Sequence, residues 1–396
     1  MSRKIGLWLI GARGGVSTTV AVGLMALQQN KAAATGLVSS LPAFESAQFA
    51  DWNEVVLGGH DIRSGNAVDD AKGLCSGHSP VYSPDLLTGD NDFLSQFDAA
   101  IRPGILLHCG HAIEALSDAK HVAQVDSLRA AIDAVQADLQ QFKESSGCQD
   151  VVVMNLASTE PASSKSDWPS EWKQFQQLLD DNGEVVPAST LYAAAALELG
   201  MPYVNFTPSL GSNLTALDQL AVEKSTCHMG SDGKTGETFL KSVLAPAFAK
   251  RNLEVMSWVG HNIFGNMDGQ ILDDPVNKQT KVGSKNRMLG EIMGYEPQSH
   301  ISIEYIKSLG DWKTAWDHIH FRGFLGTPMT MTFTWQGCDS ILAAPLVLDL
   351  FRFTELAKRQ GETGLLTFLS SFFKSPIGTG EHDFSAQFKQ LVDWAN

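Results

Sequence analysis

The chain's 396 residues suffice for two or three domains, and 43% hydrophobic against 18% charged residues describe a folded chain with a large core. A net charge of −15 excludes a general binder of nucleic acid or anionic membrane, which needs a basic face; it leaves room for a small anion held by a few clustered lysines. The five cysteines (Cys75, Cys109, Cys148, Cys227, Cys338) are scattered and lack CxxC spacing, which argues against a disulfide framework or zinc ribbon and for a reducing compartment. No apolar run approaches the ~20 residues of a membrane span. The first 44 residues contain no acid, like a transit peptide, but the apolar strand and glycine loop within them argue for a folded, cytosolic chain.

In chain order, Ile5 to Ile10 reads as a buried strand, Gly11-Ala12-Arg13-Gly14-Gly15 as a loop and Val16 to Gln29 as a helix. Glu54 to Leu57 reads as a second strand, ending in Gly58-Gly59-His60-Asp61, and Ile105 to His108 as a third. Apolar residues from Val122 to Phe142 recur at helical spacing. Val151 to Met154 is a continuous apolar strand that runs into Asn155 and Ser158-Thr159-Glu160. Helices alternating with buried strands predict a parallel sheet covered on both faces. Gly260 to Gly269 has the glycine and asparagine content of a loop. Later the pattern changes. Met329 to Trp335 alternates apolar residues with threonine, the pattern of a half-solvated antiparallel strand, and Ile301 to Ile306 is a second candidate. Ile341 onward reads as helical again.

Gly11, Gly14 and Gly15 after a strand have the logic of a pyrophosphate cradle, although a ligand-free turn would use the same glycines. The spacing is not G-x-G-x-x-G, and the acid that usually holds the ribose ~20 residues further on is missing. Asp61, at the end of the second strand, is the natural substitute. Thr235, Gly236 and Thr238 precede an apolar helix, so they form either an anion site or an ordinary N-cap. Lys281 and Lys285 stand at i and i+4, either as a solvated basic face or as a pair gathered around an anion. Lys313 and Lys374 sit among apolar residues, where a lone lysine commonly snorkels to the surface. His318 and His320 lack an acid or cysteine at ligand spacing and read as structural or surface histidines rather than metal ligands.

Taken together, ordered motifs spanning nearly the whole chain resemble the myo-inositol-1-phosphate synthase (inositol-3-phosphate synthase) family. They are the N-terminal glycine loop, Gly59-His60-Asp61-Ile62, Asn155 to Glu160, Asp232 to Ser242, Asn262 to Gly269, Ser284-Lys285, Gly310-Asp311-Trp312-Lys313, Cys338 to Pro345 and Phe373-Lys374-Ser375-Pro376.

The resemblance implies an α/β fold. It would have a discontinuous Rossmann-like parallel-sheet NAD domain (residues 1–238 and 343–396) and an inserted α+β catalytic and oligomerisation domain (239–342). It implies an NAD-dependent isomerase that converts D-glucose 6-phosphate to 1L-myo-inositol 1-phosphate. The steps would be transient oxidation at C5, enolisation, intramolecular aldol closure and reduction, in a cytoplasmic homotetramer with no nucleic-acid or membrane partner and no assigned metal. By the same resemblance Lys281, Lys285, Lys313 and Lys374 are catalytic. Thr235, Gly236, Glu237, Thr238, Asn262 and Asp268 contact substrate. Gly11, Arg13, Gly14, Gly15, Val16, Ser17, Thr18, Asp61, Asn155, Ser158, Thr159, Asp232, Asn266 and Asp339 contact the cofactor. Three residues depart from the family pattern: Glu237 replaces a neutral amide beside a dianion, and Met267 and Cys338 stand where many members carry Asn and Glu. Arg13 adds a charge to the glycine loop, where it would pair with the pyrophosphate. These departures leave open another sugar phosphate, such as fructose 6-phosphate, as substrate; a non-catalytic NAD-binding regulator is the third reading.

Overall fold

The computed structural model describes residues 3–76, 79–89, 92–162, 168–182, 185–266, 269 and 289–396. Strand β1 (Ile5–Ile10) is buried along its whole length. Ile5, Leu7 and Leu9 enter one hydrophobic core, while Trp8 and Ile10 enter another on the opposite face. Burial of both faces is what a central strand of a helix-covered parallel sheet requires. β2 (Val55–Asp61), β3 (Ile101–Pro103), β4 (Asp150–Asn155), β5 (Tyr203–Asn205), β6 (Cys227–Gly230) and β11 (Gly364–Leu365) complete this sheet. Its order is β11-β6-β5-β4-β1-β2-β3, and every pairing is parallel. Strand order reverses between β1 and β4, and the crevice beyond their carboxyl ends is where doubly wound sheets bind ligands.

Helix α1 (Gly15–Gln28) covers one face with α10 (Asp339–Gln360); α5 (Leu128–Ser146), α7 (Ala188–Glu198) and α8 (Thr215–Glu223) cover the other. Helix α9 (Gly236–Lys250) leads out of this sheet toward a second one. That sheet runs β10-β9-β7-β8, from β7 (Glu254–Phe264), β8 (Gln298–Tyr305), β9 (Trp312–Arg322) and β10 (Pro328–Cys338). β10, β9 and β7 are antiparallel neighbours, and β8 joins β7 in parallel. Val255, Trp258 and Ile319 pack on Ala245 and Phe248 of α9, while Trp316 and His318 of β9 face outward. α10 then carries the chain back to the first sheet. The expected borders at 239 and 343 both fall inside helices, α9 and α10.

Several local expectations are corrected. β2 extends through Gly58-Gly59-His60-Asp61, because Gly58 and Gly59 let it lie against the rings of Trp8 and Phe142 and the carbonyl of Leu9. His60 is buried there; its Nδ1 accepts the Trp8 indole N–H at 2.9 Å, and burial lowers its pKa. The third strand is Ile101–Pro103 rather than Ile105 to His108. Pro103 has no N–H to continue a ladder, and the Ile105 N–H is taken by the Tyr192 hydroxyl at 2.9 Å. α5 begins only at Leu128, where the Ser127 side chain caps it; Val122 instead bridges to Gly104. Gly260 to Phe264, read as loop, is the end of β7.

Candidate active site

Two adjoining cavities lie beyond the carboxyl ends of β1 and β4. One, of about 890 Å³, is mainly apolar and is lined by Gly11, Gly14, Gly15, Asp61, Asn155 and Ser158 among others. The second, of about 1590 Å³, shares Gly14, Gly15 and Ser158 with it and reaches the second sheet. Gly11 takes a left-handed φ of +83°, and a Cβ on it would stand 2.9 Å from the Ala157 backbone, so the tight turn requires glycine. α1 starts at Gly15 with no side-chain cap, so its first N–H groups can serve an anion. Asp61 ends β2 beside the smaller cavity and accepts the N–H groups of Arg13 and Arg63, at 2.7 and 2.9 Å. A carboxylate with spare lone pairs at that strand end is placed as a ribose ligand should be.

These residues fit a bound dinucleotide, and one further observation supports the fit. Ser340 is 1% exposed, and a Cβ on Gly15 would lie 2.9 Å from its hydroxyl oxygen. That buried hydroxyl stands beside the open helix start, where it can meet a ligand atom.

Three expected cofactor residues lie behind this surface and line neither cavity. Arg13 turns its guanidinium away, into ion pairs with Asp70 at 3.2 Å and Asp98 at 2.9 Å, so the expected pyrophosphate pairing is corrected. Ser17 donates to the Gly11 carbonyl at 2.8 Å and braces the loop, and Thr18 is buried. Val16, Thr159, Asp232, Asn266 and Asp339 do line the larger cleft. Asn155 borders the smaller one, with its amide donated to Asn205 and Thr207.

The cleft also gathers Thr235, Glu237 and Thr238 of the substrate set, with Lys313 and Lys374. The segment after β6 pairs with the loop after β11: Lys234 N–H donates to the Phe372 carbonyl and Lys374 N–H to that of Asp232, both at 2.7 Å. This pairing carries Lys374 into the cleft, where its Nζ donates to Asp232 Oδ1 at 2.9 Å. Lys313 enters from β9, its Nζ 5.0 Å from the centre of the Phe264 ring. Thr235 precedes α9 without making a side-chain cap bond, so the helix start is not an ordinary N-cap. Glu237 carries its carboxylate behind the loop, onto Lys241 one turn later. Gly236 lies under the Trp335 indole. Asn262 faces inward on β7 between Gly260 and Phe264; neither of its amide atoms has a partner among the described residues, and it does not border the cleft. Lys281, Lys285, Met267 and Asp268 lie outside the described residues.

Some lining residues were not expected. Asp311 accepts the Cys338 thiol and the Ser340 N–H, both at 2.8 Å, and the Asn266 amide at 3.2 Å; burial raises its pKa. Cys338 is thereby occupied, its own pKa pushed up by burial to about 12. Arg63 borders both cavities, and Glu160 borders the smaller one. Burial raises Glu160 to about 7 although Ser189 donates to it twice. Asp311 sits inside a motif used for Lys313, and Ser340 inside the one that begins at Cys338, but nothing in the spacing marked Arg63. Among the described residues no cluster of metal-ligating side chains occurs, and His318 and His320 lie on β9 away from the cleft.

The model of the NAD-binding family described as myo-inositol-1-phosphate synthase matches residues 5–396. The chain belongs to the myo-inositol-1-phosphate synthase family. An inositol-3-phosphate synthase of Bacteroides thetaiotaomicron is 32% identical, over 97% of this chain and 91% of that protein. One from Oryza sativa is 28% identical, over 90% and 75%. The fold matches the inositol-3-phosphate synthase structure from Caenorhabditis elegans with a TM-score of 0.88, at 23% identity, over all of this chain and 86% of that one. Membership makes the chain an inositol-3-phosphate synthase-type isomerase of an NAD-binding family. Among the described residues no helix is long and apolar enough to cross a membrane.

Proposed function

We propose that the chain converts D-glucose 6-phosphate to 1L-myo-inositol 1-phosphate in the larger cleft. The observation that carries this reading is the convergence of Lys313, from the second sheet, and Lys374, from the loop after β11, beside the open start of α9. NAD, when bound, supplies a reversible hydride acceptor, so that the C5 alcohol can pass through a ketone and return without net redox change.

The chain's own residues do the rest. The N–H groups of Gly236 to Thr238, at the positive end of α9, hold the phosphate dianion. Lys374, oriented by Asp232, carries protons at the reacting oxygens, and Lys281 shares this work. Lys313 and Lys285 stabilise the phosphate and the oxyanions that develop at O5 and O1. Ammonium groups suit both tasks, since they stabilise developing negative charge and can move protons. Residues 239–342 serve as the catalytic and oligomerising unit of a cytoplasmic homotetramer. The outward face of the second sheet, with Trp316 at 44% exposure, supports that assembly.

Two of the family departures bear less on substrate choice than their residue types suggest. Glu237 is neutralised by Lys241 and Cys338 is engaged by Asp311, so neither presents an unpaired group to a sugar phosphate. Turnover of glucose 6-phosphate and fructose 6-phosphate by the NAD-loaded protein tests the choice. Faster consumption of fructose 6-phosphate would displace this reading.

A further inference from the structure

The two cavities meet at the glycine loop, and six described residues line both: Gly14, Gly15, Arg63, Leu156, Ala157 and Ser158. Arg63 is the one charged side chain among them. It is also the only lysine or arginine among the described residues that line the smaller cavity, where Asp61 and Glu160 supply carboxyl groups. A dinucleotide with its adenosine in the smaller cavity and its nicotinamide in the larger carries its pyrophosphate across this shared rim. The first turn of α1, Gly15 to Thr18, offers N–H groups there but no cation. In a chain of net charge −15, an anion crossing that rim gains from a local positive charge.

The course of the chain explains why Arg63 stands there and Arg13 does not. β2 ends at Asp61, whose Oδ1 accepts the Arg63 N–H at 2.9 Å and lies 3.4 Å from the guanidinium Nε. Ile62, between them, is pinned by its carbonyl, which accepts the Asp118 N–H at 2.8 Å. Two residues beyond Arg63, Gly65 passes over the Arg13 side chain; a Cβ on it would lie 3.3 Å from Arg13 Cδ. Arg13 is thus buried under this segment at 6% exposure, held by Asp70 and Asp98, while Arg63 stays at the cavity rim at 29%. We propose that Arg63 is a cofactor-binding residue whose guanidinium, oriented by Asp61, pairs with the NAD pyrophosphate where the two cavities join. The inference rests on reading the paired cavities as the seat of NAD. A planar guanidinium can meet two phosphate oxygens at once, so the contact supplies both affinity and alignment.

The test titrates the full chain with NAD and with adenosine, from about 50 to about 500 mM NaCl, in wild type, Arg63→Gln and Arg63→Lys. Arg63→Gln is expected to raise the Kd for NAD by about tenfold or more and to flatten its rise with salt, while the Kd for adenosine, which has no phosphate, stays within about twofold. Arg63→Lys keeps the charge without the planar fork, and should recover part of the affinity and most of the salt dependence. Arg63→Met takes the place of Arg63→Gln if the latter does not fold. Unchanged NAD affinity and salt dependence without the arginine would overturn the inference. So would an equal loss for NAD and adenosine, which a merely structural role through Asp61 produces. Asp61→Asn is the control on the seat itself. It weakens NAD and adenosine together if the cofactor lies across the cavities; if it changes neither, NAD lies elsewhere and the inference falls with that reading.

Discussion

At the scale of single residues, the account separates groups that meet the substrate from groups that hold those in place. Lys374 is expected to belong to the first kind. Lys374→Ala should lower kcat by about 10²-fold or more, the range for a positioned acid or base, while NAD binding followed by fluorescence persists. Arg13 belongs to the second kind. Its guanidinium is 6% exposed and bridges two partly exposed acids. Arg13→Gln should therefore destabilise the fold by about 1–3 kcal/mol, read from the denaturation midpoint, without the loss of salt-sensitive cofactor binding that a pyrophosphate contact would produce. Sequence order singled out Lys313, Lys374 and Asp61, which line the cavities, because their surrounding motifs are contiguous. It could not show which way a side chain points. Arg13, Ser17 and Thr18 all lie in the glycine loop or the first turn of α1, yet all turn behind the surface that the loop presents. Arg63 was missed for the complementary reason: it lies just past the motif that ends at Ile62, and its place between the two cavities depends on residues distant in the chain.

At the scale of elements, burial on both faces made β1 and β4 legible, and alternation made β10 legible. The errors came from composition that had a tertiary cause. Glycines in β2 and β7 read as loop, but they are there because rings and buried carboxylates press against those strands. α10 offers a test of how its packing is held. Asp349, within it, accepts the N–H groups of Val38 and Ser39 at 2.6 and 3.0 Å, and burial raises it to about 6. The folded state therefore keeps this proton to higher pH than the unfolded chain. Stability from this group is highest below about pH 4, falls as pH rises to about 6, and is level above that. The stability difference between wild type and Asp349→Asn should shift against the wild type by about 2–3 kcal/mol across that window, measured by urea unfolding at each pH. A pH-independent difference would contradict the shift.

At the scale of the molecule, the net charge of −15 coexists with a cleft where lysines converge. The two sheets are separate, but α9 and α10 connect them, and each helix starts at the cleft, with Gly236 and Asp339. Cofactor and substrate are thus expected to meet where the two sheets face each other. The outward face of the second sheet carries Trp316, and Trp316→Glu is expected to shift a tetramer toward smaller species in sedimentation velocity. An unchanged distribution would place the contact elsewhere. The central claim is tested most directly by NMR of the product formed from ¹³C-labelled glucose 6-phosphate by the NAD-loaded protein, with NADH absorbance followed in the same tube. The account predicts myo-inositol 1-phosphate with no net accumulation of NADH. Stoichiometric NADH with an oxidised sugar phosphate, or no conversion of glucose 6-phosphate, would contradict it.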